Sequence, residues 1–280
     1  MKRGNIDNAG AGKCRIVAVE EFNDMFDLYV GIDYSGAATP LTPLSGLRVY
    51  AAAGAEPAVE QHPPGTRRRR WTRQGIARWL YKRLQADIRL IAGIDHGFSF
   101  PRSYFERHAL APGWPGFLDD FVRHWPTDRD DVTVEDVRRG RAGRGAARDG
   151  DSRWRRLTEL RAGGAKSVFH FDVPGSVAKS THAGLPWLRY LRRHTRAHFW
   201  PYDGWIIPDG RSVVVEAYPS LWRHTFGRGG RTADQHDAFT VAAWLQQSDR
   251  DGRLAANFSP ALSPAERTTA AIEGWIIGVG

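Results

Sequence analysis

Leu28-Tyr-Val-Gly-Ile-Asp33 is an apolar run that ends on a carboxylate, and the same ending returns in Ile88-Arg-Leu-Ile-Ala-Gly-Ile-Asp95. A third run, Val213-Val-Val-Glu216, closes the same way. Runs this apolar, alternating with helical segments, read as central strands of a sheet covered on both faces, where an unpaired charge is costly. The pattern predicts an α/β fold with Asp33, Asp95 and Glu216 at one sheet edge. Carboxylates gathered there need a cation, and oxygen donors suit Mg2+ or Mn2+. Thr232-Ala-Asp-Gln-His-Asp237 adds two more acids at a helix start. Asp234 and Asp237 are three residues apart and share a helical face.

Working outward, Asp27 to Gly36 reads as a strand and turn, Gly46 to Ala53 as a second strand, and the Pro-rich Glu56 to Arg70 as loop. Thr72 caps a helix running to about Ala86, with Ile76, Trp79, Leu80 and Leu84 at helical spacing. After Asp95 the pattern turns irregular, with short helices near Ser103 to His108 and Gly116 to His124. A helix from about Val177 to His194 follows, with a kink or restart expected at Gly184-Leu-Pro186. A helix from Ala233 to about Ser248, a short one near Pro264 to Ala271 and a terminal Trp275-Ile-Ile-Gly-Val strand complete the chain. Residues up to about Phe26 read as a loosely held leader, and 27–280 as one domain with an insertion over about 98–205.

The chain has 280 residues, 41% hydrophobic and 25% charged, the balance of a globular protein. Forty Lys and Arg against thirty-one Asp and Glu leave a net charge of +9, which favours nucleic acid, phosphate or an acidic partner. Cys14 is the only cysteine; it excludes an internal disulfide and a zinc site of several thiolates. No apolar signal core follows Lys2 and Arg3, and no stretch is long enough to span a bilayer. The expectation is a cytoplasmic protein without a membrane partner.

The basic residues cluster. Arg67, Arg68, Arg69 and Arg70 are consecutive, and nine arginines, among them Arg138, Arg139, Arg141 and Arg144, lie between Arg138 and Arg161. The second run has few apolar residues and reads as a mobile loop suited to a phosphate backbone. Trp71, Trp154, Trp187, Trp200 and Trp205 could stack on bases or close a core. Lys179-Ser-Thr181, near a helix start, would suit a phosphate, although it lacks P-loop glycine spacing. A solvated basic surface is the plain alternative for all of these.

Each acid also has a plain reading. Thr232 and Gln235 form a capping-box pattern, in which Asp234 simply meets the positive field of the helix N-terminus. Asp33, between Gly31 and Gly36, could be a turn residue, and Glu216 a strand end before Pro219. His96 and His236 adjoin Asp95 and Asp237, but neighbouring side chains diverge on a strand or helix. They suit a supporting position behind the acids, or a proton shuttle.

The order strand with Asp, hairpin, helix, strand with Asp, strand with Glu and helix with Asp resembles the ribonuclease H-like fold, in its RuvC/YqgF-like branch. The strings Gly-Ile-Asp-His-Gly-Phe-Ser-Phe-Pro, Lys-Ser-Val-Phe-His-Phe-Asp-Val, Phe-Trp-Pro-Tyr-Asp-Gly-Trp and Glu-Gly-Trp-Ile-Ile-Gly-Val resemble an uncharacterised bacterial family of predicted nucleases in that superfamily. The resemblance implies a mixed central sheet flanked by helices. It implies metal-dependent cleavage of DNA or RNA, with Asp33 as the bridging ligand, Asp95 and Glu216 beside it, and Asp237, with Asp234, completing the site. Two alternatives stay open: an inactive nucleic-acid-binding or scaffold protein of the same fold, and an actin-like kinase or ATPase. The last is weakened by the lack of a second glycine-rich phosphate loop after Asp95.

Overall fold

Strand β1 (Leu28–Tyr34) is the centre from which the sheet is built. The computed structural model describes residues 24–65 and 70–280. On one side β1 pairs antiparallel with β2 (Leu47–Ala53), which pairs antiparallel with β3 (Val59–Gln61). On the other it pairs parallel with β4 (Leu90–Asp95), followed by β6 (Val213–Glu216) and β5 (His198–Phe199), all parallel. The mixed six-stranded sheet has the order β3-β2-β1-β4-β6-β5, flanked by helices in an α/β arrangement.

The helices are α1 (Arg73–Leu84), α2 (Arg102–Arg107), α3 (Trp114–His124), α4 (Val134–Arg138), α5 (Leu157–Arg161), α6 (Ala178–His194), α7 (Ala233–Arg250), α8 (Leu254–Asn257) and α9 (Pro264–Glu273). Strand alternation divides the core in two. Val30, Ile32, Ala92, Ile94 and Val214 face the side covered by α1, α3 and α6, while Tyr29, Ile91, Val213 and Val215 face Val241, Ala242 and Leu245 of α7. Among the described residues no helix is long and apolar enough to cross a membrane.

Helix α7 packs unusually close to the sheet because Gly31 and Gly93 lie beneath it. A Cβ on Gly31 would stand 2.6 Å from the Ala242 nitrogen and collide with the Ala238 carbonyl, and one on Gly93 would stand 2.5 Å from Val241 Cγ1. The repeated glycine before each Ile-Asp is thus a packing requirement.

Several expectations are corrected. Strand β3 falls in the expected Pro-rich loop and β5 in the expected irregular stretch, because two or three residues are too short to show a period. The terminal strand reduces to a single bridge between Glu216 and Ile276, bracketed by Gly274 and Gly278 with φ of 82° and 83°, where an L side chain is strained. Helix α6 runs through Pro186 without a restart. Proline removes the N–H that would bond the His182 carbonyl, and Thr127 Oγ1 donates to that carbonyl instead at 2.6 Å. The leader expectation falls largely on residues 1–23, outside the described residues. Phe26 itself is buried, with its N–H donating to Asp249 Oδ2 at 3.0 Å.

The Arg138 to Arg161 run is not a mobile loop. It contains α4, a turn of 3-10 helix at Gly145–Arg148 and α5. Seven of its nine arginines pair with acids: Arg138 with Asp172 and Glu135, Arg139 with Glu135, Arg141 with Asp136, Arg148 with Asp120, Arg153 with Asp151, Arg156 with Glu159 and Glu216, and Arg161 with Glu266. Composition misled because four of these acids, Asp120, Asp172, Glu216 and Glu266, are remote in sequence. The tryptophans likewise close the core: Trp71, Trp187 and Trp200 are buried, and Trp154 and Trp205 are partly so.

Candidate functional site

Asp33 and Asp95 are Cα partners in the parallel pair β1 and β4. Partners in a parallel ladder present their side chains to the same face, here the α7 face that also carries Tyr29, Gly31, Ile91 and Gly93. Asp33 is 2% exposed, and Asp95 is half-buried. Two carboxylates are therefore held side by side at the C-terminal ends of adjacent parallel strands, the edge where open α/β sheets bind ligands.

Helix α7 brings two further acids. Its capping box is present in full, with the Thr232 side chain accepting from Gln235 N–H and the Gln235 side chain accepting from Thr232 N–H. Asp234 and Asp237 then project from the first turns toward the strand pair, near enough to act electrostatically on Asp33, and Asp237 acts on Asp95 as well. The glycine-floored approach of α7 makes this meeting possible.

The charge is poorly compensated. Burial, followed by repulsion from Asp234 and Asp237, raises the Asp33 pKa to about 7, against the N–H and hydroxyl of Ser35, which donate to its Oδ1 at 2.8 and 2.6 Å. Asp95 is pushed well above the usual carboxylate range by burial and then by Asp33, Asp237 and Glu216, with Arg223 opposing. Asp234 is raised by burial, with Arg48 opposing and Asp237 reinforcing. Burial first, and repulsion after it, favours the protonated forms of these acids, and a bound cation would favour the charged ones.

Glu216 is near enough to Asp95 to raise its pKa, but it is held by other partners. It pairs in register beside Ile94 rather than Asp95, so its side chain leaves the opposite face of the sheet. There the buried Arg156 guanidinium donates to Oε1 at 2.5 Å and to Oε2 at 2.7 Å, and the Phe98 N–H donates to Oε2 at 3.0 Å. Arg156 also donates to Glu159 at 2.8 Å. Glu273 receives the N–H groups of Leu157 and Arg102 at 2.6 Å each. This network ties β6, α5 and α9 together. Its oxygens are occupied by the protein.

His96 also lies on the face away from Asp95. It packs edge-on against Tyr34 with centroids 4.8 Å apart, and Gly184 of α6 leaves room for its ring. Burial lowers its pKa to about 4. His236 is buried under the loop before α7, where its Nε2 meets the Arg223 carbonyl at 3.1 Å. Neither ring joins the acids.

Arg223 and Arg48 were not singled out from the sequence. Arg223 Nη2 lies 3.2 Å from Asp237 Oδ2, and its Nε lies 3.3 Å from Oδ1. Arg48, the register partner of Asp33 in β2, is held by Glu60 at 2.8 Å. Alternation in β2 could have placed Arg48 on the α7 face, but no local signal marks Arg223. Among the described residues no three His, Cys, Asp or Glu side chains already form a group that could hold a metal ion.

The basic candidates are dispersed. Arg67, Arg68 and Arg69 lie outside the described residues, while Arg70 and Arg144 are exposed. Arg138, Arg139 and Arg141 are paired as described above. Lys179 is exposed in the first turn of α6, but Ser180 Oγ donates to the Val177 carbonyl and Thr181 Oγ1 accepts the Gly97 N–H. That turn offers a phosphate one lysine and no free hydroxyl. Comparisons with protein families, with curated proteins and with solved structures found no match for this chain.

Proposed function

We propose that this chain is a metal-dependent phosphodiester hydrolase acting on DNA or RNA, with a ribonuclease H-like architecture. The observation that carries the reading is the register pairing of Asp33 with Asp95 as same-face acids, with Asp237 of α7 near enough to act on both. The order of strands and helices that prompted the resemblance supports the architecture. Asp33, Asp95 and Asp237 are carboxylates of the kind Mg2+ or Mn2+ takes, with Asp234 beside Asp237, and they would have to draw together around an ion, since no three acids among the described residues already form a metal-holding group. Glu216 does not fit that set, because Arg156 occupies it.

When bound there, such an ion would activate a water and stabilise the leaving oxygen of a phosphodiester. The chain's own contribution is positional. Ser35 orients Asp33 through Oδ1, and the two glycines set the distance from α7 to the strands. The apolar face below buries Asp33, which strengthens the charge interactions of its carboxylate.

Purified protein is expected to cleave at least one of single-stranded, duplex or branched DNA or RNA with Mg2+ or Mn2+, and to lose this in both Asp33→Asn and Asp237→Asn. Absence of cleavage on all four, or cleavage unchanged in both variants, would overturn the reading. The Arg223–Asp237 ion pair favours a second reading, a binding or scaffold protein whose acids are satisfied internally.

A further inference from the structure

We propose that Arg223 guards the carboxylate site as an exchangeable counter-ion and, once a divalent ion holds Asp237, turns its guanidinium to the phosphate of the substrate. The inference rests on the metal-dependent reading above. Arg223 belongs to the glycine-rich segment between β6 and α7, which also holds Arg228 and Arg231. Those two arginines hold the segment's shape: Arg228 Nε donates to the Arg231 carbonyl at 2.7 Å, and Arg231 donates to the Gly227 and Arg228 carbonyls at 3.2 and 3.1 Å. The Arg231 guanidinium also lies 3.5 Å from the Phe239 ring centroid. Arg223 is the arginine of this segment that faces the acids.

Its backbone is pinned and its head is loose. His236, buried below, meets the Arg223 carbonyl at 3.1 Å; a carbonyl oxygen only accepts, so Nε2 carries the proton and donates, and Nδ1 has no partner among the described residues. The side chain of Arg223 is 48% exposed, and its two contacts to Asp237, at 3.2 and 3.3 Å, are longer than the 2.5 to 2.8 Å that Arg156 keeps with Glu216 and Glu159. The Asp237 side chain is 15% exposed, and an ion pair this long with its cation half in solvent is weak, so a divalent ion can replace it. A planar guanidinium released beside such an ion matches two phosphate oxygens at once. His236 thereby becomes a positioning residue for Arg223.

The test is calorimetric titration of Mn2+ alone, then of inorganic phosphate into Mn2+-loaded protein, for wild type, Arg223→Gln, Arg223→Lys and Asp33→Asn. Arg223→Gln is expected to bind Mn2+ roughly two- to fivefold more tightly, the scale of an exposed ion pair. The same variant is expected to bind phosphate at least fivefold more weakly, with Arg223→Lys recovering part of the loss. Mn2+ binding equal in wild type and Arg223→Gln, or phosphate binding absent in wild type or unchanged in Arg223→Gln, would sink the proposal while leaving the metal reading intact. Mn2+ binding to none of the proteins would overturn the metal reading itself, and this inference with it.

Discussion

Gly31 and Gly93 stand opposite one another in parallel strands β1 and β4, and α7 crosses directly over both. Each lies two residues before an acid, so the contact that seats the helix also sets how far Asp237 is from Asp33 and Asp95. Gly93→Ala is expected to destabilise the fold by about 1–3 kcal/mol through overpacking against Val241. It should also reduce metal-dependent activity more than the lost stability explains. Urea unfolding and cleavage assays at a temperature where the variant is fully folded check both parts. Unaltered stability would show that the helix can shift freely.

Asp33→Asn removes one buried charge with little change of shape. In the absence of metal, thermal melting is expected at a higher temperature than wild type, because repulsion with Asp95, Asp234 and Asp237 is relieved. Mg2+ should raise the melting point of wild type but not of the variant. A lower melting point in metal-free buffer would argue that Asp33 is held by the protein and not by a cation.

Asp33 and two buried histidines pull stability in opposite directions with pH. The Asp33 pKa, raised to about 7 chiefly by burial, lies above its unfolded value. The folded chain holds a proton that the unfolded chain releases, and that contribution is lost as pH rises from about 4 to 7. His182 and His96 are lowered by burial to about 3 and about 4. Their contribution is full above the ordinary histidine range and is lost as pH falls through it toward those folded values. For His182 the expected loss between pH 7 and pH 5 is about 2 kcal/mol. His182→Phe, in the ring cluster of Phe100, Phe121, Trp125 and Phe171, should remove that loss in urea titrations at pH 5 and 7. The same pH dependence in the variant would refute it.

Arg156 and Glu216 form a staple, and the staple can be told from a ligand. Arg156→Ala leaves Glu159 and Glu216 buried without a counter-charge and should cost about 3–5 kcal/mol. Glu216→Gln should lower stability by less and leave Mn2+ affinity unchanged. A Mn2+ affinity lowered tenfold in Glu216→Gln would return Glu216 to the ligand set.

Nucleic-acid binding, if electrostatic, cannot draw on most of the Arg138 to Arg161 run. Arg144 and Arg155 are exposed and carry no ion pair among the described residues. Replacing both with alanine should flatten the log-log salt dependence of duplex binding by up to about 1.8, from roughly 0.9 per phosphate contact. An unchanged slope would move the contact elsewhere on the surface.

The sequence by itself determined what local periodicity and chemistry can carry. Apolar runs ending on Asp33, Asp95 and Glu216 marked three central strands, and Thr72 and Thr232 marked two helix starts. Tertiary structure decided what depends on partners far along the chain. It paired Arg148 with Asp120 and Arg156 with Glu216, so a run that looked unfoldable by composition became ordered. It also decided the faces. Side chains alternate with a period of two, so a one-residue offset between β4 and β6 was enough to turn Glu216 to the face opposite Asp95 and toward Arg156. No reading of either strand alone contains that offset, since register is set by the packing of the whole sheet.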